Sequence, residues 1–312
     1  MNKAVAYIML YLKGIAMGGA DVVPGVSGGT IAFITGIYEK LLNSIKSFDI
    51  EALKFLKSFE IKALWEHVNG TFLVVLFAGI ATSVLSLANI ITYLLNNHPI
   101  QVWAFFFGLI VISALIILRE IKKWSFGVVL SMIAGIAIAY FITATSPAET
   151  PDEPWFMFIA GAVAICAMIL PGISGSFILL LFGKYEYVIS ALKDFRIADL
   201  IFLALGCAVG LLSFARLVSW LFKKFHNLTV GLLSGFMIGS LNKVWPWKDT
   251  LETYIDRHGE IKPLFQVNIL PTEYLERTGG EPFFLEAIAF AAFGFLLVLG
   301  IDRLAAYLSS EK

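Results

Sequence analysis

Apolar residues in this chain come in long unbroken runs, separated by short polar stretches, and do not alternate with polar residues. A helix needs about 20 consecutive apolar residues to cross a bilayer. Runs of roughly that kind are read at Thr71–Leu95, Ile100–Leu118, Phe126–Thr143, Ala198–Phe222, the shorter Thr229–Leu241, and Phe283–Leu308. Two further pairs of apolar limbs, Ala4–Ala20 with Ile31–Ile45 and Trp155–Leu170 with Phe177–Leu192, each flank a small polar stretch. Their continuity predicts helices, because the strands of a membrane barrel would alternate.

The two polar stretches nearly repeat: "ADVVPGVSGGTIAF" (Ala20–Phe33) and "AMILPGISGSFILL" (Ala167–Leu180). A displacement of 147 residues lays Pro24 on Pro171 and matches Gly25, Ser27, Gly28, Ile31, Gly36, Tyr38, Glu39 and Lys46 with identical residues. Further on, a displacement of 127 matches Gly79, Ala81, Leu85, Ser86, Ala88, Gly108 and Ser113 with Gly206, Ala208, Leu212, Ser213, Ala215, Gly235 and Ser240. The chain is therefore read as two homologous halves, 1–145 and 150–312, forming one membrane domain.

Composition strengthens the membrane reading. Of 312 residues 59% are hydrophobic and 15% charged, with mean hydropathy +0.84, outside the range of soluble domains. The fold class expected is an all-α integral membrane protein. A net charge of zero without a basic block predicts no nucleic-acid partner. Cys166 and Cys207 lie inside apolar runs and read as packing residues, with no disulfide framework, metal spacing or cofactor expected. The start "MNKAVAYIMLYLKG" lacks a small-residue cleavage pattern and is kept as structure.

Lys and Arg set the orientation, since short basic loops stay cytoplasmic. Lys46, Lys54, Lys57 and Lys62 fill one connector, Arg119, Lys122 and Lys123 another, and Lys223 and Lys224 a third, whereas "NNHP" (96–99) and "SPAETPDEP" (146–154) have none. If each motif pair is a re-entrant or broken hairpin, each half adds about three transmembrane helices and the second half lies inverted. Lys184, Lys193 and Arg196 go against this charge rule; the long segment 242–282 is placed outside. Inverted repeats suit secondary transporters, whose sites lie where broken helices meet.

Backbone that is not helical survives in hydrocarbon only inside protein or beside a watery cavity. Proline fits a first helical position, and Gly25, Ser27, Gly28, Gly29 and Thr30, with Gly172, Ser174, Gly175 and Ser176, offer close backbone approach and hydroxyl donors. Two helix starts supply roughly +1 charge, against about −1.5 to −2 on a phosphate monoester. Arg216, within an apolar helix, is the candidate for the missing charge; a structural pairing with Asp21, or snorkelling, is its other reading. Asp21, Glu39 and Glu186 either pair with basic groups or carry protons, and the repeated Tyr38–Glu39 and Tyr185–Glu186 suit a gating role or polar limb ends at the surface. Trp245 and Trp247 read as interfacial anchors, with headgroup contact the lesser reading.

The stretches "GIAMGGADVVPGVSGGTIAFITGIYEKLL" (14–42), "LPGISGSFILLLFGKYEYV" (170–188), "SFARLVSWL" (213–221) and "GSLNKVWPW" (239–247) resemble the polyprenyl-phosphate transporter family. That resemblance covers essentially the whole chain. It implies return of undecaprenyl phosphate from the outer to the cytoplasmic leaflet of the bacterial inner membrane, for reuse in peptidoglycan and other envelope synthesis. The partners implied are the lipid and the bilayer, with protons as a candidate coupling ion; oligomeric state stays open. Two other functions are weighed. The tips partly resemble the "PGxSRS" pattern of undecaprenyl-pyrophosphate phosphatases, but Gly28 and Gly175 stand where its arginine would be. An ion-coupled transporter of a soluble anion would use similar hairpins.

Overall fold

The computed structural model describes residues 3–23, 26–148, 150–151, 153–255 and 261–310. Helix α1 (Lys3–Val22) enters the first glycine-rich stretch and is followed by two short helices, α2 (Gly28–Ile34) and α3 (Tyr38–Lys46). Two largely exposed helices, α4 (Ile50–Lys57) and α5 (Ile61–His67), precede α6 (Gly70–Asn97), α7 (Pro99–Leu118) and α8 (Phe126–Ala144). The same order then returns in α9 (Pro154–Ile169), α10 (Gly175–Leu181), α11 (Tyr185–Lys193) and α12 (Ile197–Ser240). An antiparallel pair, β1 (Lys248–Ile255) and β2 (Ile261–Asn268), leads to α13 (Pro271–Thr278) and α14 (Phe284–Ser310).

Among the described residues α1, α6, α7, α8, α12 and α14 are long and apolar enough to cross a bilayer. The chain is thus a multi-pass, helical membrane protein with a small two-stranded appendage. Large apolar side chains such as Leu85 and Leu285 are more than four-fifths exposed, as expected where lipid, not water, is the surrounding medium. One buried core takes residues from both halves, among them Val23, Val26, Leu76, Ile110, Val230, Leu233 and Met237.

Three local features differ from the sequence expectation. The limbs 31–45 and 177–192 are each broken, at Gly36 (φ +70°) and Gly183 (φ +64°); a left-handed residue ends one short helix and redirects the next, and glycine adopts it without a Cβ clash. Pro171 does not open a helix: it sits in the turn after α9, and Ser174 is the N-cap of α10. The separate helices expected at 198–222 and 229–241 are one continuous element interrupted at Phe225 (φ −135°, ψ 48°). His98, between α6 and α7, has the same backbone angles and stands 127 residues earlier.

Packing repeats as well. Gly14 lies against the Leu76 carbonyl and Gly79 against that of Tyr11, closing α1 on α6; Gly161 and Gly206 make the equivalent approaches to Leu203 and Phe158, closing α9 on α12. A side chain at any of the four would enter a neighbouring backbone. Such small-residue crossings let helices approach in lipid, where burial of apolar surface supplies no net drive. Likewise α7 packs on α14 through Gly108 and Gly294, and α12 on α8 through Gly235 and Gly135. The last helix of each half therefore rests on the other half, so the two do not form separate bodies.

Candidate functional site

The first tip is tied to the second half. Ser27, with extended backbone, caps α2 by accepting from Gly29 N at 3.0 Å. Its hydroxyl lies 3.1 Å from Met168 O and 3.3 Å from Leu170 O, at the end of α9, where helix carbonyls have no partner of their own. Gly172 N donates to Thr30 Oγ1 at 2.9 Å. Ser27 and Thr30 are wholly buried, and Gly29 sits against the Ile169 carbonyl, where a Cβ would collide. Asp21 Oδ1 accepts from Gly28 N at 2.6 Å, so a carboxylate already occupies this helix start. Gly25 lies outside the described residues.

The second tip is buried from Pro171 to Ser174 and borders open space at Ser176. Ser174 caps α10 by accepting from Phe177 N at 3.3 Å, and its Oγ is 2.7 Å from that of Ser176. Gly172, at φ +90°, faces Ser240 Oγ, and Gly175 packs on the Ala164 carbonyl. Ser176 and Phe177 line a cavity of about 1280 Å³, together with Asp21, Tyr185 and Glu186. That volume exceeds the roughly 300–1,000 Å³ of ordinary small-molecule pockets.

Two lysines give this cavity its chemistry. Lys243 Nζ stands 4.3 Å above the Phe177 ring, and Lys248 Nζ donates to Asn268 Oδ1 at 2.9 Å and reaches Asn242 O at 3.4 Å. Burial pushes the Lys243 ammonium down to about 8. Burial, with the Lys243 charge second, pushes Lys248 down to about 7. Among the described residues neither lysine pairs with a carboxylate. The cavity's acids are Asp21, Glu186 and Asp249, and the last faces Arg277 at 3.8 Å. Desolvated cations without counter-ions gain most from an arriving anion.

Both lysines escaped the sequence reading as site residues. Lys243 lies in "GSLNKVWPW", just past an apolar helix, and Lys248 begins a strand. The usable signal was a pair of lysines five residues apart on the face otherwise poor in basic loops.

Other expected residues lie elsewhere. Arg216 is exposed and donates to Phe48 O at 3.4 Å; it does not line the cavity. Tyr38 is buried between Phe33 and Phe222, ring centroids 5.0 and 6.0 Å away. Glu39 lines a narrow crevice beside Phe222. Trp245 Nε1 donates to Ile269 O and Trp247 Nε1 to Pro282 O, which pins the strand segment onto the helices. Cys166 and Cys207 are free thiols in the α9–α12 contact, directed at Gly210 O and Gly161 O.

A helical membrane domain whose large, lysine-lined cavity reaches a helix break has the form of a transporter. The chain belongs to the VCA0040-like family, described as undecaprenyl phosphate translocase-like, whose model matches residues 17–262. It is 46% identical over 304 residues to a polyprenyl-phosphate transporter of Vibrio cholerae serotype O1 (strain ATCC 39315 / El Tor Inaba N16961), covering 97% of this chain and 99% of that one. A polyprenyl-phosphate transporter of Staphylococcus aureus (strain NCTC 8325 / PS 47) is 36% identical over 254 residues, covering 75% and 85%. No solved structure matches. Family and relatives are transporters, not enzymes.

Proposed function

We propose that this protein moves a polyprenyl phosphate, such as undecaprenyl phosphate, from the outer to the cytoplasmic leaflet of a bacterial inner membrane. The observation that carries this reading is the meeting of Lys243, Lys248 and Ser176, whose hydroxyl is bonded to that of the buried cap Ser174, in one large cavity. Only the phosphate needs a polar route; the prenyl chain stays in lipid while the headgroup enters. A phosphate monoester with about −1.5 to −2 charges matches two ammonium groups and the Ser176 hydroxyl.

Charge supports the orientation on which this direction rests. The basic connectors gather at one end of the bundle, where Arg216 meets Phe48 and Asn227 Nδ2 lies 3.5 Å from Lys123 O. The cavity lies at the other end, beside Asn96 and Pro99 of the loop without Lys or Arg. Under the positive-inside rule that end faces outward. The halves 1–145 and 150–312 then form an inverted pair that rocks to expose the headgroup first outside, then inside. Asp21, lining the cavity and holding Gly28 N, is the group suited to couple protons to this cycle; transport indifferent to an imposed proton gradient removes that role.

The test is leaflet-resolved transport of the lipid in vesicles containing purified protein. Charged hydrogen bonds contribute about 1.5–3 kcal/mol each, so Lys243→Gln with Lys248→Gln lowers lipid affinity and transport by about tenfold or more, at 1.4 kcal/mol per decade. Wild-type rates in a folded double variant reject the site.

A further inference from the structure

The narrow crevice at the opposite end of the bundle is built from the same positions as the open cavity. It is lined by Glu39, Leu42, Asn43, Ser219, Phe222 and Lys223. Displacing α3 residues by 147 and α12 residues by 127 turns five of these six into Glu186, Ile189, Thr92, Leu95 and Asn96, all of which line the cavity. The two lie at opposite ends of α6: Lys40 of α3 stacks on Phe72 near its start, at 4.8 Å, and Asn96 is near its end. At about 1.5 Å per residue the separation along the helix is roughly 36 Å.

One substitution between the twins matters chemically: where the cavity has Asn96, the crevice has Lys223. Around it stand Lys46, whose Nζ is 3.5 Å from Ser219 Oγ, and Arg216, which among the described residues is bonded to a backbone carbonyl alone. Asp49, the acid beside them, is occupied by Glu51 N, Ala52 N and His67, leaving Glu39 as the carboxylate at the crevice. Ser219 donates to Asn43 Oδ1 at 2.9 Å and draws the walls together. Against Phe222 packs Tyr38, 2% exposed, whose hydroxyl finds no partner among the described residues. Buried orphan hydroxyls are rare and costly, so this closed packing leaves a polar group to be satisfied in another arrangement.

We propose that this crevice is the closed twin of the outer cavity and, when open, holds the lipid phosphate through Lys46, Arg216 and Lys223 before release on the cytoplasmic side. The assignment rests on the transport reading above and gives Arg216 an anion-binding role at the end of the bundle opposite the cavity.

Two measurements on the full-length protein test it. In the first, Lys46→Gln, Arg216→Gln and Lys223→Gln are combined. Farnesyl phosphate binding to the detergent-purified triple variant stays within about twofold, because the outer cavity is intact, while leaflet-resolved delivery falls about tenfold or more; a Lys/Arg exchange at the same positions restores it. Delivery within about twofold of wild type by a folded triple variant overturns the proposal, whereas loss of binding in Lys243→Gln alone tests the parent reading separately. The second measurement does not depend on the triple variant folding. In a chain with Cys166 and Cys207 replaced by alanine, Ser219→Cys is exposed to a water-soluble maleimide during turnover. Ser219 is 4% exposed in the closed crevice, so labelling is expected only when the lipid cycle runs, and protection by farnesyl phosphate but not by inorganic phosphate. A cysteine that never reacts overturns the opening; equal protection by inorganic phosphate overturns the assignment to a lipid headgroup.

Discussion

The two glycine-serine hairpins share nine residues in register, yet they do different work here. In the first, Ser27 and Thr30 hold the other tip, Asp21 takes up Gly28 N, and Tyr38 is packed shut between Phe33 and Phe222. In the second, Ser176 and Tyr185 line the cavity, and Lys243 stands over Phe177. Near-identical local sequence thus sits in one closed and one open environment within a single chain. The lesson is that the motif encodes a helix break and a cap, while access to it is decided by which neighbours close over it.

Substitutions at paired positions probe this contrast. The largest effect is expected at the tyrosines. Truncating a buried aromatic costs about 3–5 kcal/mol, so Tyr38→Ala should strongly lower the denaturation midpoint in detergent, and Tyr185→Ala less than half as much. Equal losses would erase the distinction between closed and open ends.

A pH series sharpens the open side. Free Lys243 and Lys248 lose protons near 8 and 7, whereas the phosphate gains its second charge near about 6. Headgroup affinity should therefore peak at neutral pH and fall about tenfold towards pH 9. Folding stability should move the other way. Over the window from about 7 to 10.4 the unfolded lysines keep protons that the folded ones have lost, so stability rises with pH. Calorimetric binding and thermal unfolding across that range check both trends.

Smaller differences follow for the caps and the surface. Loss of an N-cap costs about 0.5–2 kcal/mol; Ser27→Ala, which also breaks the bond to α9, should lie at the upper end and Ser174→Ala at the lower, as read by denaturant midpoints. Arg277, half exposed with Glu273 at 3.4 Å, contributes at most about 1 kcal/mol, so Arg277→Gln should barely shift the midpoint.

Much of the fold was legible because lipid imposes it. Unbroken apolar runs must be helices in hydrocarbon, and the observed α6, α7, α8 and α14 begin within about a residue of the runs that announced them. The repeat was legible from identities alone, and Gly14 with Gly161, unmatched in that reading, falls into the same register. The hairpin tips were legible as helix breaks from Gly and Ser chemistry. Arg216 was less so: an arginine in an apolar run suggests an interior site, yet its place on α12 brings it to the basic end beside Phe48. Lys243 and Lys248 looked like loop residues, because nothing local reveals that β1 and β2 fold back over the bundle.

The sequence by itself determined that the chain enters a membrane as helices, that its residues recur at spacings of 147 and 127, and that helices break at the two glycine-serine tips, since hydropathy, identity and backbone chemistry are carried residue by residue. Only the tertiary structure decided which hairpin stands open, which cations meet there and which aromatics close the other end. Those outcomes depend on contacts between residues more than a hundred positions apart, and two nearly identical motifs can differ in access only through what packs against them.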